Sequence, residues 1–372
     1  MNTQLQCFFV VATVGACVEP RTPASVHAVA ALPDTVPAPV DNPGSEAKVV
    51  LGRALFWDPI LSGDRDVACA TCHHPDYAYA DGRALSIGVG GVGLGPLRVA
   101  VGVLHATTLN SMTILDTAWN GLNARDVPTS PEDAPMFWAN RAHGLENQAS
   151  GPMHNIDEMR GTQFTDAAIG FEVAARLEAN AEYRAMFDRA FGAVPITEKN
   201  ITQAIAVFER TLVARNSSFD RYMAGEDAAM NSAQKRGLME FTARGCTHCH
   251  AGPMLSDFQL HTMQADHGLH GGHSGTGMPG GVIRTVSLRN VMRTAPYFQD
   301  GSLPTIDDVF NFYMHIDQAA DPELAGIDPP MPIAVGARDD LKAFFTAISD
   351  GDYDRSVPVT VPSGLPPGGT IR

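Results

Sequence analysis

Long apolar runs are missing from this 372-residue sequence, and none approaches the roughly 20 residues of a bilayer-spanning helix. That excludes an integral helical membrane protein. Positive charge is short as well: 26 Lys plus Arg stand against 41 Asp plus Glu, a net charge of −15. Such a chain repels a phosphate backbone, so nucleic-acid binding is excluded, while solubility or a basic macromolecular partner is favoured. Strand-like alternation is scarce too. What remains is 44% apolar and 18% charged, a composition that builds a packed core and not a disordered chain. The length suits two domains, and 35 Gly with 26 Pro imply much loop between helices.

Cysteine is the informative rarity. The six residues are Cys7, Cys17, Cys69, Cys72, Cys246 and Cys249, four of them in two C-x-x-C pairs. Cys7 to Ala16 is an apolar stretch of secretory length followed by small residues, so 1–17 is expected to be a signal peptide. Val14-Gly15-Ala16-Cys17 also has the form of a lipobox, which would make Cys17 a lipid anchor. The first six residues carry no Lys or Arg, a weak n-region, and a plain cleaved signal with an incidental Cys17 is the competing reading. Both export the protein. Residues 18–46, rich in Pro, Ala and Val, read as a linker.

Helical spacing marks two later segments. Ile201, Ile205, Phe208 and Leu212 form one amphipathic stripe, and Leu341, Phe344, Phe345 and Ile348 another. The two motifs are Cys69-Ala-Thr-Cys72-His73 and Cys246-Thr-His-Cys249-His250. On a helical turn, residues i and i+3 face one side, so both thiols reach the two vinyl groups along one haem edge. The histidine that follows then projects over the ring toward iron. Structural zinc pairs normally lie closer in sequence and need no adjoining histidine, and a thioredoxin-like motif wants a βαβ setting. Two covalently bound c-type haems are therefore expected, with His73 and His250 as iron ligands.

From Leu51 to Asp350 the chain also resembles the bacterial dihaem cytochrome c peroxidases, including their MauG-like branch. The blocks that carry this are Leu51 to Asp58, Leu61-Ser-Gly63, Ala80-Asp-Gly82, Phe137-Trp138 with Arg141, Gly151-Pro152, Glu158-Met159, Ala206 to Leu212, Phe219 to Tyr222, Leu288-Arg-Asn290 and Thr294 to Phe298. The resemblance implies a mainly α fold of two cytochrome c-like haem domains with long irregular loops. Residues 47–213 would form the peroxidatic domain, 214–352 the electron-transfer domain, and 353–372 a flexible tail. It implies reduction of hydrogen peroxide in the periplasm, with electrons from a small cytochrome c or cupredoxin. One alternative is a MauG-like enzyme that oxidises residues of a partner protein through high-valent haem; another is a non-catalytic dihaem electron carrier.

The same resemblance assigns roles. Gln148 and Glu158, ten and twenty residues after Trp138, stand at distal-pocket positions, Glu158 to move the peroxide proton and Gln148 to orient oxygen. Trp138 would carry electrons between the haems, although an interface tryptophan can also merely fill space. Peroxidases that need reductive activation place a histidine where this chain has Ile87-Gly88-Val89-Gly90, and valine cannot ligate iron. His105 falls in what resembles the later Thr-Leu-Asn block, which disfavours it as a substitute. Gln299 replaces the usual histidine after Tyr-Phe. Thr294 and Pro296 match two positions of the family's interdomain calcium. Counting from Asp300-Gly301 puts Tyr313 at the sixth-ligand position of the second haem, as in MauG; Met314, one residue on, would serve as in the peroxidases. The stretch from Thr108 to Trp138, with Asp116, Trp119, Asp126, Glu132 and Asp133, reads as a solvated loop. His267, His270 and His273 lie among seven glycines and suit a mobile loop better than a preorganised metal site.

Overall fold

The computed structural model describes residues 29–103, 105–122, 130–262, 282–315 and 335–372. The signal segment, the histidines of 267–273 and Asp126 lie outside them. Helices dominate: α1 (Glu46–Trp57), α2 (Cys69–Cys72), α3 (Leu145–Gln148), α4 (Ser150–His154), α5 (Asp166–Ala179), α6 (Ala181–Phe191), α7 (Glu198–Glu209), α8 (Ser218–Met223), α9 (Ser232–Ala243), α10 (Ile306–His315) and α11 (Val335–Ala347). Among the described residues the paired strands are three short antiparallel ribbons, Gly91–Val92 with Val99–Ala100, Pro135–Met136 with Ala142–His143, and Leu260–Thr262 with Val282–Arg284. The helix starts follow local chemistry. Thr197 with Asn200 opens α7, and Asn231 with Gln234 opens α9; each pair satisfies orphan backbone donors reciprocally.

Two helix crossings organise the molecule, and they are copies of one another. In the first, α1 lies on α7 so closely that a Cβ on Gly52 would stand 2.0 Å from the Ala204 carbonyl oxygen and 2.8 Å from Phe208 Cβ. In the second, α9 lies on α11, and a Cβ on Gly237 would meet the Asp340 carbonyl oxygen at 1.9 Å and Phe344 Cβ at 2.8 Å. One turn beyond each glycine a phenylalanine packs on the partner helix: Phe56 on Phe208 and Phe241 on Phe344, both with ring centroids 5.2 Å apart. Glycine is required because only a missing side chain lets two backbones approach this far. Both amphipathic stripes are buried in these crossings. A C-x-x-C-H motif follows the first helix of each pair.

The two ends of the chain depart from expectation. The linker was expected to be loose, yet Leu32 is buried, Asn42 donates to Glu146 Oε1 (2.6 Å) and to the Gln203 carbonyl (3.0 Å), and Val29 bridges to Gly252. Its prolines stiffen it, and its apolar residues find a groove. The expected flexible tail is likewise fixed. Tyr353, Val361 and Ile371 join the core of Phe56, Trp57 and Leu212, and Gly368 N donates to the Trp57 carbonyl at 2.7 Å. Thr71, inside the first haem motif, donates to the Gly368 carbonyl at 2.9 Å. The tail thus closes over the N-terminal module because that core is incomplete without its apolar side chains. The stretch from Thr108 to Trp138 is also not simply a solvated loop: Asp116 and Trp119 are buried, while Glu132 and Asp133 are exposed.

Candidate haem sites and the bridge between them

Each C-x-x-C-H motif forms a single tight turn that brings its histidine back over its first cysteine. His73 N donates to the Cys69 carbonyl and His250 N to the Cys246 carbonyl, both at 2.9 Å. The imidazoles are oriented alike. His73 Nδ1 lies 2.9 Å from the Tyr79 carbonyl and His250 Nδ1 lies 2.9 Å from the Leu255 carbonyl. A carbonyl only accepts, so each Nδ1 carries the proton and each Nε2 is left as a lone-pair ligand. Burial lowers both histidine pKa values, which keeps the rings neutral. Burial also pushes the Cys72 and Cys246 thiols up to about 12. Such buried thiols suit sulfur consumed in thioether bonds.

Around the second motif lies a cavity of about 280 Å³, lined by Cys246, Cys249 and His250 and walled by Phe241, Met254, Leu341 and Phe345. Arg244 and Arg284 reach the same cavity. A mostly apolar slot with guanidinium groups fits a flat apolar ring that bears carboxylates. Tyr313 lines this cavity, and burial, with both cysteines nearby, raises its phenol above the ordinary value. Met314 is turned the other way, packing into the α9–α11 core with its sulfur against the Arg338 guanidinium. Asp257 and His261 cluster with Cys249, and His261 Nε2 lies 2.9 Å from Asp257 Oδ2.

Glu158 sits at the first motif. It lies on a π-helical turn, Ile156–Arg160, whose Asn155 cap donates to Glu158 Oε1 at 2.7 Å. The carboxyl is close enough for its charge to raise both the Cys69 and the Cys72 thiols. Burial raises its own pKa, against the opposing pull of Arg141, which is held over the Phe137 ring at 3.7 Å. Gly88 packs on this turn, where a Cβ would stand 1.9 Å from the Asp157 carbonyl oxygen. Next to it Val89 is buried in the apolar core with Met153 and Met159. His105 is engaged with Asp157, its Nδ1 3.0 Å from Oδ1. Gln148 ends α3, half-buried, two short helices before Glu158.

Trp138 lines the second cavity, and its Nε1 donates to the Asn110 carbonyl at 3.0 Å. The next residue reaches the first motif: Ser111 Oγ donates to the Cys72 carbonyl at 3.0 Å and lies 3.5 Å from His73 Nδ1. Residues 110–111 therefore join the tryptophan to the first histidine. Gln299 is buried, and its carbonyl accepts from Asn110 N at 2.7 Å, which fixes this segment. Asn110, Thr294 and Pro296 line one cavity. Sequence reasoning did not single out Asn110, Ser111, Arg284 or Glu209. The Thr-Leu-Asn block at 108–110 hinted at Asn110 and its neighbour Ser111, and the Ala206 to Leu212 block at Glu209; no block pointed to Arg284.

Comparison with known proteins agrees with this geometry. A family model described as di-haem cytochrome c peroxidase matches residues 46–228. The methylamine utilization protein MauG of Methylorubrum extorquens is 33% identical over 327 residues, covering 85% of this chain and 82% of that protein. The cytochrome c551 peroxidase of Pseudomonas aeruginosa is 32% identical over 291 residues, covering 74% of each. Among solved structures, a MauG-like protein associated with microbial copper homeostasis superimposes with a TM-score of 0.67 at 30% identity, covering 86% of this chain and 95% of that one.

Proposed function

Because the chain belongs to the dihaem cytochrome c peroxidase and MauG family, and is a haem oxidoreductase, we propose that it reduces hydrogen peroxide at the N-terminal site with electrons that enter at the C-terminal one. The observation that carries this reading is Glu158 beside the Cys69–Cys72 pair, with buried Val89 where an activation-dependent enzyme would have a ligand histidine. Cys69, Cys72, Cys246 and Cys249, with His73 and His250, would hold two c-type haems, which would supply the redox chemistry for peroxide reduction. The residues do the rest. Glu158, whose pKa burial raises, moves a proton from the inner to the outer peroxide oxygen; general acid–base help of this kind gives roughly 10²- to 10⁴-fold. Gln148 would orient the peroxide. Trp138 offers an oxidisable ring between the sites, tied to His73 through Asn110 and Ser111. The balance is one peroxide, two electrons and two protons to two waters.

The electron source in this reading is a small cytochrome or cupredoxin in the periplasm, reached through the N-terminal export signal. A lipid anchor at Cys17 belongs to the same proposal, as does calcium near Thr294 and Pro296. Tyr313 favours the MauG-like alternative, in which electrons come from residues of a partner protein. An anionic phenolate lowers a haem potential, where a thioether would raise it, and so suits holding an oxidising equivalent. Steady-state peroxide consumption by the as-purified oxidised protein, with and without a reduced donor protein, tests the proposal. Turnover with the donor and no prior reduction is expected. A requirement for prior reduction would overturn the open-site reading.

A further inference from the structure

The internal repeat shows an asymmetry that the peroxidase reading does not use. Phe208 and Phe344 are equivalent, each meeting the crossing glycine of its module, so the next residues, Glu209 and Phe345, are equivalent too. Phe345 lines the second haem cavity. Where the second module has that phenyl ring, the first has a carboxyl. Glu209 is 5% exposed, its Oε2 is buried without a hydrogen-bond partner in the structure, and its charge bears on Cys69. A buried carboxylate oxygen in that state is costly, and taking up a proton relieves the cost.

We infer that Glu209 is a redox-linked proton site of the N-terminal haem, taking up a proton when the haem beside it gains an electron and releasing it when the electron leaves. The inference rests on the haem assignment above. The coupling is electrostatic: one electron from the donor protein and one proton from solvent arrive together, so charge beside the ring stays constant. The cations nearest to it in the fold are engaged elsewhere. Arg210 is held bidentately by Glu146, at 2.7 and 2.9 Å; Arg53 on α1 is turned to Asp354; and Lys48 donates to Asn42 and Pro43. Glu158 approaches the cysteines from the π-helical turn. Burial, opposed by Arg210 and reinforced by Glu146, lifts the Glu209 carboxyl to about 8, within reach of neutral pH.

The test is a potentiometric titration of the purified dihaem protein at a series of pH values. In the wild type, the N-terminal haem potential is expected to fall as pH rises from neutral to alkaline, while the C-terminal haem stays flat. Glu209→Gln should flatten the first line. An infrared redox difference spectrum of the wild type should show a protonated carboxylic acid band that Glu209→Gln removes. A pH-independent wild-type potential with both haems bound, or an unchanged slope in Glu209→Gln, overturns the inference alone. Failure to find two covalent haems overturns the reading beneath it.

Discussion

Glu158→Gln keeps the shape of the side chain and removes its proton acceptor, so it isolates one chemical act. Peroxide reactivity should fall by roughly 10²- to 10⁴-fold while both haems stay bound, as read by stopped-flow spectroscopy and the resting absorption spectrum. Near wild-type reactivity would remove Glu158 from the mechanism. Tyr313 and Met314 can be separated in the same way. Tyr313 opens onto the cavity and Met314 turns to Arg338, so Tyr313→Phe should change the spectrum of the second haem and Met314→Leu should leave it unaltered. A methionine-to-iron charge-transfer band in the near infrared of the wild type would reverse the assignment and strengthen plain peroxidase activity.

Helices and their junctions set a different class of expectation. Gly52→Ala and Gly237→Ala each push a methyl into a backbone carbonyl across a crossing, and overpacking of this kind costs about 1–3 kcal/mol. Each should lower the thermal midpoint, and each should perturb chiefly the haem of its own module. A second junction carries a pH signature. His154 at the end of α4 lies 2.9 Å from Asp166 on α5 and 3.0 Å from Glu198 on α7. Burial alone would lower its pKa, but the bond to Asp166 and the charge of Glu198 outweigh it, and the net shift is upward. A raised histidine stabilises the fold fully below its unfolded value of about 6.5, and the contribution disappears as pH climbs through the folded value. The urea midpoint of the wild type should therefore fall relative to that of His154→Gln as pH rises past neutrality. Parallel curves would show that the clasp adds nothing, as partly exposed ion pairs sometimes do.

At the scale of the whole molecule, residues 29–46 and 353–372 are structural. Truncation after Asp352 removes Tyr353, Val361 and Ile371 from the N-terminal core. At about 1.5–3 kcal/mol per large buried apolar side chain, the loss amounts to several kcal/mol, comparable to the net stability of a domain. The truncated protein should lose the first haem's native spectrum before the second's, since Thr71 in the first motif hangs on Gly368. Mass spectrometry of the purified protein should show two haem masses that survive denaturation. One, or none, would undo the two-site description.

The sequence by itself determined the chemistry that is local. A C-x-x-C-H turn needs only five consecutive residues to set thiols and imidazole, the stripes of α7 and α11 need only a helical period, and ordered blocks sufficed for the family. The choice between Tyr313 and Met314 lay one residue, about 100°, apart on a helix, and packing against the α9–α11 core decided which side chain meets the cavity. Composition suggested a loose linker and tail; the structure pins residues 29–46 and the tail through a few buried side chains, Leu32, Asn42, Tyr353, Val361 and Ile371, that complete cores built by distant helices. Glu209 reads as one more charge in a helical block until the repeat sets it opposite Phe345. Local covalent geometry writes motifs into neighbouring residues, whereas burial depends on surfaces that distant segments bring together, and that is decided only in three dimensions.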